Sequence, residues 1–298
     1  MGREEVSLPA SVAIIGFGEV GRIFARDLKA AGVGRIAAYD LLFSDPDSGP
    51  SRSAREGGVR LGASAADAAL GADLVFSAVT AAQTLEAAKA AAEGIGQGAY
   101  FVDLNSASPG TKREAFQAIT DAHGLYVEAA VMTSVPPKGL KSQMLLGGPN
   151  AEAFKPIADG LGMTTEVFSA AVGQASAVKM CRSVLIKGVE ALIAESMLTA
   201  RHYGVENVVL DSLHDLLPHP DWRKHSRYML SRSLVHGKRR AEEVREVAKT
   251  VAEAGVEPLM SERIAERQDW AWKAAKALPK DVLDDGDLAA LLDGIKSK

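Results

Sequence analysis

Cysteine is almost absent from this sequence. Cys181 is the single cysteine among 298 residues, so no disulfide can form within the chain. Because disulfides persist mainly in oxidising compartments, we expect the protein to be located in the reducing cytoplasm. We interpret Cys181 itself as a small residue of the core.

Long apolar runs are also missing. No stretch reaches the roughly 18 uncharged apolar residues that predict a membrane-spanning helix. The first residues, Met1–Val6, lack the basic start and apolar core of a signal peptide, and position 6 lacks the serine or threonine that myristoylation requires. We therefore expect no membrane partner.

An excess of basic charge is missing as well. The formal net charge is -4 at pH 7, and the basic clusters at 223–232 and 238–240 have acidic neighbours, so we expect no nucleic-acid partner. The spacing of His202, His214, His219 and His225 is not typical of metal ligands, and no metal is expected. What remains is an ordinary globular composition, 47% hydrophobic, in a chain long enough for two domains.

Three glycines near the N-terminus form the clearest motif. The apolar residues Val12–Ile15 predict a buried strand, and a Gly-x-Gly-x-x-Gly turn and a helical apolar pattern follow them. The turn consists of Gly16, Phe17, Gly18, Glu19, Val20 and Gly21. Its glycines allow a sharp turn, a close approach by a pyrophosphate and close packing of the helix, whose N-terminus favours an anion. The turn predicts dinucleotide binding; the alternative is a glycine turn in an α/β domain that binds nothing.

Asp40 indicates which dinucleotide is bound. It ends the second predicted strand, 35–40, about 20 residues past the glycines, where a carboxylate accepts hydrogen bonds from the adenosine ribose. A carboxylate repels a 2′-phosphate, so Asp40 favours NAD, with NADP as the weaker alternative. Arg52 and Arg55 keep NADP open, because arginines can accept a 2′-phosphate. The alternative for Asp40 is a carboxylate that only caps a turn.

Predicted strands and helices alternate through the first half of the chain, which is typical of a doubly wound parallel sheet. We predict a loop at 44–62 and an irregular turn at 131–137. Further strands are predicted at 73–78, 100–103, 125–130, 142–146 and 164–168, and helices at 63–69, 84–92, 112–123 and 151–161. Ligands bind at the carboxyl ends of such strands. The candidates to contact the cofactor there are Val79, Thr80, Asn105 and Ser106, and polar loop residues without a ligand are the alternative.

From Gly173 onward the strand patterns stop. Residues 175–203 predict one long helix, apolar around much of its circumference, which indicates a buried central element and a natural homodimer core. Shorter helices are predicted at 208–216, 221–235, 238–254, 258–275 and 284–295, with breaks at Pro218, Pro220, Pro258 and Pro279. The predicted fold is an α/β Rossmann-type doubly wound domain, 1–170, followed by an all-α domain, 171–298, for substrate binding and dimerisation.

The order of these features resembles the β-hydroxyacid dehydrogenase family, which includes hydroxyisobutyrate dehydrogenase, tartronate semialdehyde reductase and, more distantly, 6-phosphogluconate dehydrogenase. The resemblance covers nearly the whole chain, from the glycine turn and the Tyr39-Asp40 pair to the pattern Gly173-x-x-x-x-x-Lys179. It includes the strand end Val102–Pro109, which reads Val-Asp-Leu-Asn-Ser-Ala-Ser-Pro. The C-terminal third resembles a subgroup whose helical domain has no known function. The resemblance implies an oxidoreductase that moves a hydride between a nicotinamide and a hydroxy acid, with Lys179 as the catalytic residue.

The chemistry is consistent with that role for Lys179. Hydride transfer at an alcohol carbon requires a group that takes the hydroxyl proton, and a lysine serves when burial or a neighbouring cation lowers its pKa toward neutral. Lys179 lies near the start of an apolar helix, one turn before Arg182. The alternative is a lysine that extends along the helix surface into solvent.

The sequence departs from the family at the substrate-binding positions. Arg182 and Ser183 replace two asparagines that follow the lysine, and Glu242–Val244 replaces a later Lys-Asp-Leu motif. Because arginine can hold a carboxylate with two hydrogen bonds, we predict an acidic substrate. The alternative is that Arg182 pairs with Glu128 or another acid.

The family's substrate loop, Asp-Ala-Pro-Val-Ser-Gly-Gly, is replaced here by Glu128–Ser134. Met132 adds an apolar wall, while Thr133 and Ser134 supply hydroxyls, so we expect a substrate that is larger and partly apolar. A second cationic cluster contains His236, Arg239 and Arg240. We predict that His236 and Arg240 border the cleft, from the same or the partner subunit; the alternative is basic residues that serve a helix dipole.

Three other functions stay open. An imine reductase shares the glycine turn and the long helix but often replaces the lysine, and a decarboxylating dehydrogenase of the 6-phosphogluconate type uses the same lysine. A dinucleotide-sensing regulator would keep the cofactor fold and lose catalysis, which the altered 128–134 segment leaves open. Lys179 argues against the imine reductase and against the regulator.

Overall fold

The computed structural model describes residues 8–216, 221–284 and 287–296. The expectations for Met1–Val6 and for helix breaks at Pro218 and Pro220 lie outside the described residues. The chain divides into two compact units, residues 1–180 and 181–298, so the division falls inside the long helix that begins at Gln174.

A sheet of eight strands organises the described part of the first unit. The strands are β1 (Ser11–Ile15), β2 (Arg35–Tyr39), β3 (Arg60–Leu61), β4 (Leu74–Ser77), β5 (Tyr100–Asp103), β6 (Leu125–Val131), β7 (Gln143–Gly147) and β8 (Thr164–Ser169). Their order across the sheet is β3-β2-β1-β4-β5-β6-β7-β8. Neighbouring strands are parallel, except that β6 and β7 are antiparallel.

Helices cover both faces of this sheet. They are α1 (Glu19–Ala30), α2 (Gly49–Glu56), α3 (Ala65–Ala69), α4 (Thr84–Ala92), α5 (Pro109–Asp121), α6 (Val135–Lys138), α7 (Ala151–Gly160) and the first turns of α8 (Gln174–Tyr203). Val12 and Ile14 of β1 belong to one apolar core, and Ala13 and Ile15 belong to a second core on the opposite face. Because successive strand residues face opposite sides, this division confirms the doubly wound prediction and explains why the run is apolar throughout.

The predicted loop at 44–62 is wrong, because this stretch contains α2 and β3. Its serine, glycine and proline residues start a helix instead of preventing one. Ser48 caps α2 by accepting a hydrogen bond from the N–H of Ser51, and Pro50 occupies the first turn, where no N–H partner is needed. The predicted irregular turn at 131–137 is partly helical as well, since α6 begins at Val135 and is interrupted at Pro136.

The described part of the second unit is helical throughout, which confirms the all-α prediction. After α8 come α9 (Glu206–Leu216), α10 (Trp222–Glu253), α11 (Leu259–Ala275), α12 (Lys280–Asp284) and α13 (Leu288–Lys296). Its main apolar core includes Met197 of α8, Leu230 and Leu234 of α10, and Leu291 of α13. Over the described residues, no helix combines the length and hydropathy that crossing a membrane requires.

Two helix boundaries in the second unit were predicted wrongly. The predicted helices 221–235 and 238–254 are one continuous helix, α10. Gly237 lies inside it, where a Cβ would be 2.5 Å from the carbonyl oxygen of Gln268. The glycine therefore permits close packing of α10 on α11 and does not end a helix. The predicted helix 284–295 is α13, preceded by the separate short helix α12.

Candidate functional site

The carboxyl ends of five parallel strands meet at one edge of the sheet. Residues paired across these strands form a row, Tyr39, Ile15, Ser77, Asp103 and Glu128. β1, β2, β4 and β5 end at this row, and β6 continues to Val131. Ligands of doubly wound sheets bind outside this edge, so the segments that follow the row define the candidate site.

The three glycines of the turn have different structural reasons. Gly16 has a φ of +91°, and a Cβ on it would lie 2.4 Å from the carbonyl oxygen of Ala78. A Cβ on Gly21 would lie 2.1 Å from the carbonyl oxygen of Gly16, so the fold itself requires both residues. Gly18 has a φ of −71°, and a Cβ there would meet no heavy atom within 4 Å. The open space in front of Gly18 fits a pyrophosphate that approaches the backbone at the start of α1.

The different surroundings of these glycines give a prediction for Gly18→Ala. We expect NAD to bind at least about tenfold more weakly, a loss of roughly 1.4 kcal/mol, because the methyl group enters the space assigned to the pyrophosphate. We expect the unfolding temperature to stay unchanged or to rise slightly, since alanine restricts the unfolded chain and meets no protein atom. Gly21→Ala is the control and should lower the unfolding temperature. Calorimetric titration with NAD and thermal unfolding test both variants, and unchanged NAD affinity in Gly18→Ala would contradict the assignment.

Asp40 is built into the glycine turn. Its Oδ2 accepts a hydrogen bond from the N–H of Phe17 at 2.7 Å, and its Oδ1 accepts one from the N–H of Leu42 at 2.9 Å. Asp40 therefore does cap a turn, as the alternative interpretation stated, and this is part of its role. An ionised carboxylate offers about four lone-pair positions, so two remain for ribose hydroxyls. The ring of Phe17 is buried against Phe43, and only its backbone faces the turn. In the same turn, Glu19 is exposed and Val20 is half-buried.

Asn105 holds together the segments that follow β4 and β5. Its Oδ1 accepts a hydrogen bond from the N–H of Val79 at 2.7 Å, and its Nδ2 donates one to Ser77 Oγ at 2.9 Å. Asn105 is buried, whereas Thr80 is exposed and Ser106 is half-buried. Thr80 and Ser106 thus have the access that contact with a ligand requires, and Asn105 supports the loop that carries Val79.

Sequence reasoning missed a buried polar network behind this edge. Lys112 Nζ lies 2.8 Å from Asp103 Oδ1, and the two side chains are 1% and 0% exposed. The hydroxyl of Tyr126 donates to Asp103 Oδ2 at 2.9 Å. Burial, and then the charges of Asp103 and Glu128, raise the pKa of Tyr126 well above its usual value, so the tyrosine stays a neutral donor. No sequence spacing connects these residues, because α5 and β6 bring them together.

Glu128 connects the row to the helix that carries Lys179. The carboxylate is fully buried, and it accepts hydrogen bonds from the N–H groups of Gly173 at 2.7 Å and Ser176 at 2.5 Å. A negative charge is favourable at this end of a 30-residue helix. Lys179 follows Ser176 by one helical turn and is half-buried. The structure therefore attaches the first turns of α8 to the ligand-binding edge of the sheet.

The segment after β6 packs on the same turns of α8. Met132 packs with Ala130, Leu145 and Ala175, in a cluster that Val178 also joins. Thr133 Oγ1 accepts a hydrogen bond from the N–H of Gln143 at 3.2 Å. Ser134 is exposed. The structure thus brings Met132, a predicted substrate-binding residue, next to the helix turn that bears Lys179.

The other candidate substrate residues lie in the second unit. Arg182 is exposed, His236 is half-buried, and Ser183 is buried with its hydroxyl accepting from Lys187 Nζ at 3.3 Å. Arg240 is buried and pairs with the carboxylate of Glu190.

Burial dominates the buried pair in the second unit. It raises the pKa of the Glu190 carboxyl despite the attraction of Arg240 and other cations, and it lowers the pKa of Arg240. The ion pair with Glu190 engages the guanidinium of Arg240 between α8 and α10.

The prediction that Cys181 is a core residue is wrong. Cys181 is exposed and is not a core residue, because it lies on a different side of α8 from the buried Met180 and Ser183. Leu185, Ile186 and Leu192 of the same helix are exposed too. In the described part of the chain, no group of three histidine, cysteine or carboxylate side chains is arranged to hold a metal.

The fold and this edge define a Rossmann-type dinucleotide-binding domain joined to an all-helical domain. Residues 11–173 match the family described as the NAD binding domain of 6-phosphogluconate dehydrogenase, and residues 200–271 match a domain of unknown function, DUF1932. The chain belongs to the family that joins these two domains. This finding confirms the subgroup that the sequence resembles, and it supports a nicotinamide cofactor.

Related structures agree with this assignment. A conserved hypothetical protein from Sinorhizobium meliloti 1021 is 37% identical, with 96% of each chain covered and a TM-score of 0.74. A conserved protein of unknown function, described as structurally similar to 3-hydroxyacid dehydrogenases, is 34% identical over 89% of this chain and 98% of its own, with a TM-score of 0.67.

More distant structures share the fold. Mycobacterium tuberculosis 3-hydroxyisobutyrate dehydrogenase is 16% identical over 98% of this chain and 99% of its own, with a TM-score of 0.69. An imine reductase from Myxococcus stipitatus, in complex with NADP+, is 15% identical over 96% of this chain and 99% of its own, with a TM-score of 0.53. The first unit thus has the NAD-binding fold of 3-hydroxyacid dehydrogenases.

Proposed function

We propose that this protein is an NAD-dependent oxidoreductase that transfers a hydride between the nicotinamide cofactor and a hydroxy acid of the 3-hydroxyacid type. One observation carries the proposal. Glu128 attaches the first turns of α8, and with them Lys179, to the edge of the sheet that also presents the open backbone at Gly18.

The cofactor would be held by the segments that follow the sheet. The backbone at Gly18 admits the pyrophosphate, and the remaining lone pairs of Asp40 accept from the adenosine ribose hydroxyls. A negative charge at Asp40 disfavours a 2′-phosphate, which supports NAD over NADP. Arg52 and Arg55 donate to the carbonyl oxygens of Asp47 and Pro46, so both guanidiniums have partners inside their own loop.

Lys179 would move the proton. The bound nicotinamide accepts the hydride when the alcohol is oxidised and returns it when the carbonyl is reduced. In the same step, Lys179 Nζ takes the hydroxyl proton during oxidation and returns it during reduction. Lys179 is half-buried and lies one helical turn after Ser176, so the contact that attaches α8 to the sheet edge also holds the lysine near that edge.

The substrate would be acidic, larger than the usual small hydroxyacids and partly apolar. Met132 supports the apolar part, because it packs beside the first turns of α8. Exposed Arg182 supports the acidic part, because a guanidinium can bind a carboxylate through two hydrogen bonds.

A substrate panel tests this function and its alternatives. We expect 3-hydroxypropionates that carry a 2-alkyl group larger than methyl to reduce NAD faster than 3-hydroxyisobutyrate or glycerate does, and NAD to be used in preference to NADP. A best rate with 3-hydroxyisobutyrate or glycerate would contradict the substrate proposal. Oxidation of 6-phosphogluconate with release of carbon dioxide would indicate the decarboxylating function, and reduction of a cyclic imine would indicate an imine reductase. Binding of NAD with no turnover of any compound would favour a regulator.

We also propose a homodimer formed through the helical unit. The exposed apolar residues Leu185 and Leu192 of α8 support it, together with a groove of about 470 Å³ whose lining includes Leu192, Met260 and Trp270. Exposed apolar surface of this kind marks protein interfaces. Sedimentation of the full chain as a monomer at micromolar concentration would contradict the dimer.

A further inference from the structure

Glu128 occupies an unusual place for a carboxylate. It is fully buried at the row across the sheet, and its two oxygens accept hydrogen bonds from two backbone N–H groups of the same helix start, Gly173 and Ser176. The N–H groups of a first helical turn have no partner within the helix. Glu128 therefore supplies two acceptors to α8 from a strand 45 and 48 residues earlier in the chain.

The surroundings of Glu128 are shaped around this contact. A Cβ on Gly147, the opposite residue of β7, would lie 2.7 Å from Glu128 Oε2, so a side chain there would displace the carboxylate from this position. Gly173 has a φ of +99°, which favours glycine at the point where the chain turns into α8. Ser176 Oγ donates to the carbonyl oxygen of Gly173 at 3.1 Å and tightens the same turn. The backbone at both ends of the contact leaves Glu128 little freedom to move.

The contact determines where the next helical turn lies. Residues three apart in a helix lie on the same side, one turn further along, so Lys179 follows directly from Ser176. A shift or rotation of the first turn of α8 therefore moves Lys179 relative to the sheet edge. An aspartate, one methylene shorter, would not reach both N–H groups.

We propose that Glu128 is a positioning residue for Lys179. By accepting both N–H groups, it sets the depth and rotation of the first turns of α8 and so the place of the lysine ammonium. This role rests on the proposed function, in which Lys179 moves the proton. A misplacement of about 1 Å can cost on the order of 100-fold in rate, so the effect on turnover is expected to be large.

Glu128→Gln tests this role. It keeps the size of the side chain but turns an NH₂ group toward one of the two N–H donors. We expect hydrogen–deuterium exchange over residues 174–180 to become at least about tenfold faster and kcat to fall about 10- to 100-fold. The primary deuterium isotope effect on kcat should rise, and the Kd for NAD should stay within about twofold, because Gly18 and Asp40 lie on other segments.

Two further variants keep the test decisive. Glu128→Asp retains the charge at the helix start and should lie between wild type and Glu128→Gln, and it replaces Glu128→Gln if that variant does not fold. Asp73→Asn is the matched control, because Asp73 also accepts from a backbone N–H, that of Ser11 at 2.9 Å, but at the opposite ends of the strands. We expect Asp73→Asn to leave kcat and exchange at 174–180 unchanged.

The assays use NAD with the fastest substrate among 3-hydroxyisobutyrate, glycerate and the 3-hydroxypropionates with a larger 2-alkyl group. Unchanged exchange at 174–180 in Glu128→Gln would overturn the positioning role. So would a kcat within about twofold of wild type while Lys179→Ala has lost 100-fold, a result that leaves the proposed function intact. If wild type turns over none of these compounds, or Lys179→Ala keeps its activity, the proposed function itself is wrong, and the positioning role is withdrawn with it.

Discussion

Lys179→Ala is expected to lower kcat by about 10²- to 10⁴-fold, the loss typical of a removed acid–base group. The reason is chemical: without an acceptor for the hydroxyl proton, hydride transfer would leave a protonated carbonyl product. The Kd for NAD should stay within about twofold, because the cofactor contacts are assigned to the glycine turn and Asp40, which lie on β1–α1 and at the end of β2 and not on α8. Steady-state rates and calorimetric titration with NAD measure the two quantities separately.

A lysine on another helix of the first unit is the control for this prediction. Lys155 of α7 forms a solvent-accessible ion pair with Asp159, so Lys155→Ala should leave kcat unchanged. Added ethylamine should restore part of the activity of Lys179→Ala and none of that of Glu128→Gln, whose ammonium group is still present. A fall of less than about tenfold in Lys179→Ala would remove the acid–base role.

Lys112→Met is expected to lower the free energy of unfolding of the first unit by about 3–5 kcal/mol. Lys112 and Asp103 are 1% and 0% exposed, so methionine would leave a carboxylate in the interior without its cation. Tyr126 and the N–H of Asn105 would still donate to that carboxylate, but neither carries charge. Because Asn105 supports the segment after β4, local loosening should also weaken NAD binding.

A second substitution separates lost charge from lost packing. Asp103→Asn with Lys112→Met removes both charges, and asparagine can keep its hydrogen bonds to Asn105 and Tyr126. The double variant should therefore be more stable than Lys112→Met alone, since replacing both partners of a buried pair costs less than removing one. Lys89→Met is the surface control, because Lys89 pairs with Glu86 in solvent and should change stability by less than about 0.5 kcal/mol.

The measurement must report on the first unit. All three tryptophans, Trp222, Trp270 and Trp272, lie in the second unit, so their fluorescence follows the helical part of the chain. Hydrogen exchange of peptides from β5 and β6 in increasing urea reports on the sheet instead. A double variant as unstable as Lys112→Met, or a single variant as stable as wild type, would contradict the account of the pair.

Much of the first unit could be predicted because its information is local. The apolar run Val12–Ile15 is buried on both faces, which only a strand covered by helices on both sides explains. Gly16 and Gly21 are fixed by contacts within a few residues or with the neighbouring strand, and their spacing shows in the sequence. The loop prediction at 44–62 is wrong for a local reason too, because Ser48 and Pro50 are typical of loops and equally typical of helix starts.

Local sequence patterns did not predict features that depend on contacts between distant segments. Gly237 resembles a helix break, yet it lies inside α10 because α11 packs against its backbone. Cys181 has an apolar side chain, but it lies on the exposed side of α8. Arg240 pairs with Glu190 of another helix, so the basic cluster around His236 does not show in the sequence that Arg240 is buried.

The sequence by itself established the strand–glycine turn–helix unit, the carboxylate at Asp40, the order of an α/β and an all-α region, and the lysine on the long helix. These features depend on backbone conformation and on side-chain periodicity, which neighbouring residues express. The tertiary structure alone revealed that Glu128 holds the helix of Lys179 and that Asp103, Lys112 and Tyr126 form a buried network. Such contacts depend on which strands and helices become neighbours. The spacing of residues far apart in the chain does not predict that they will be in contact.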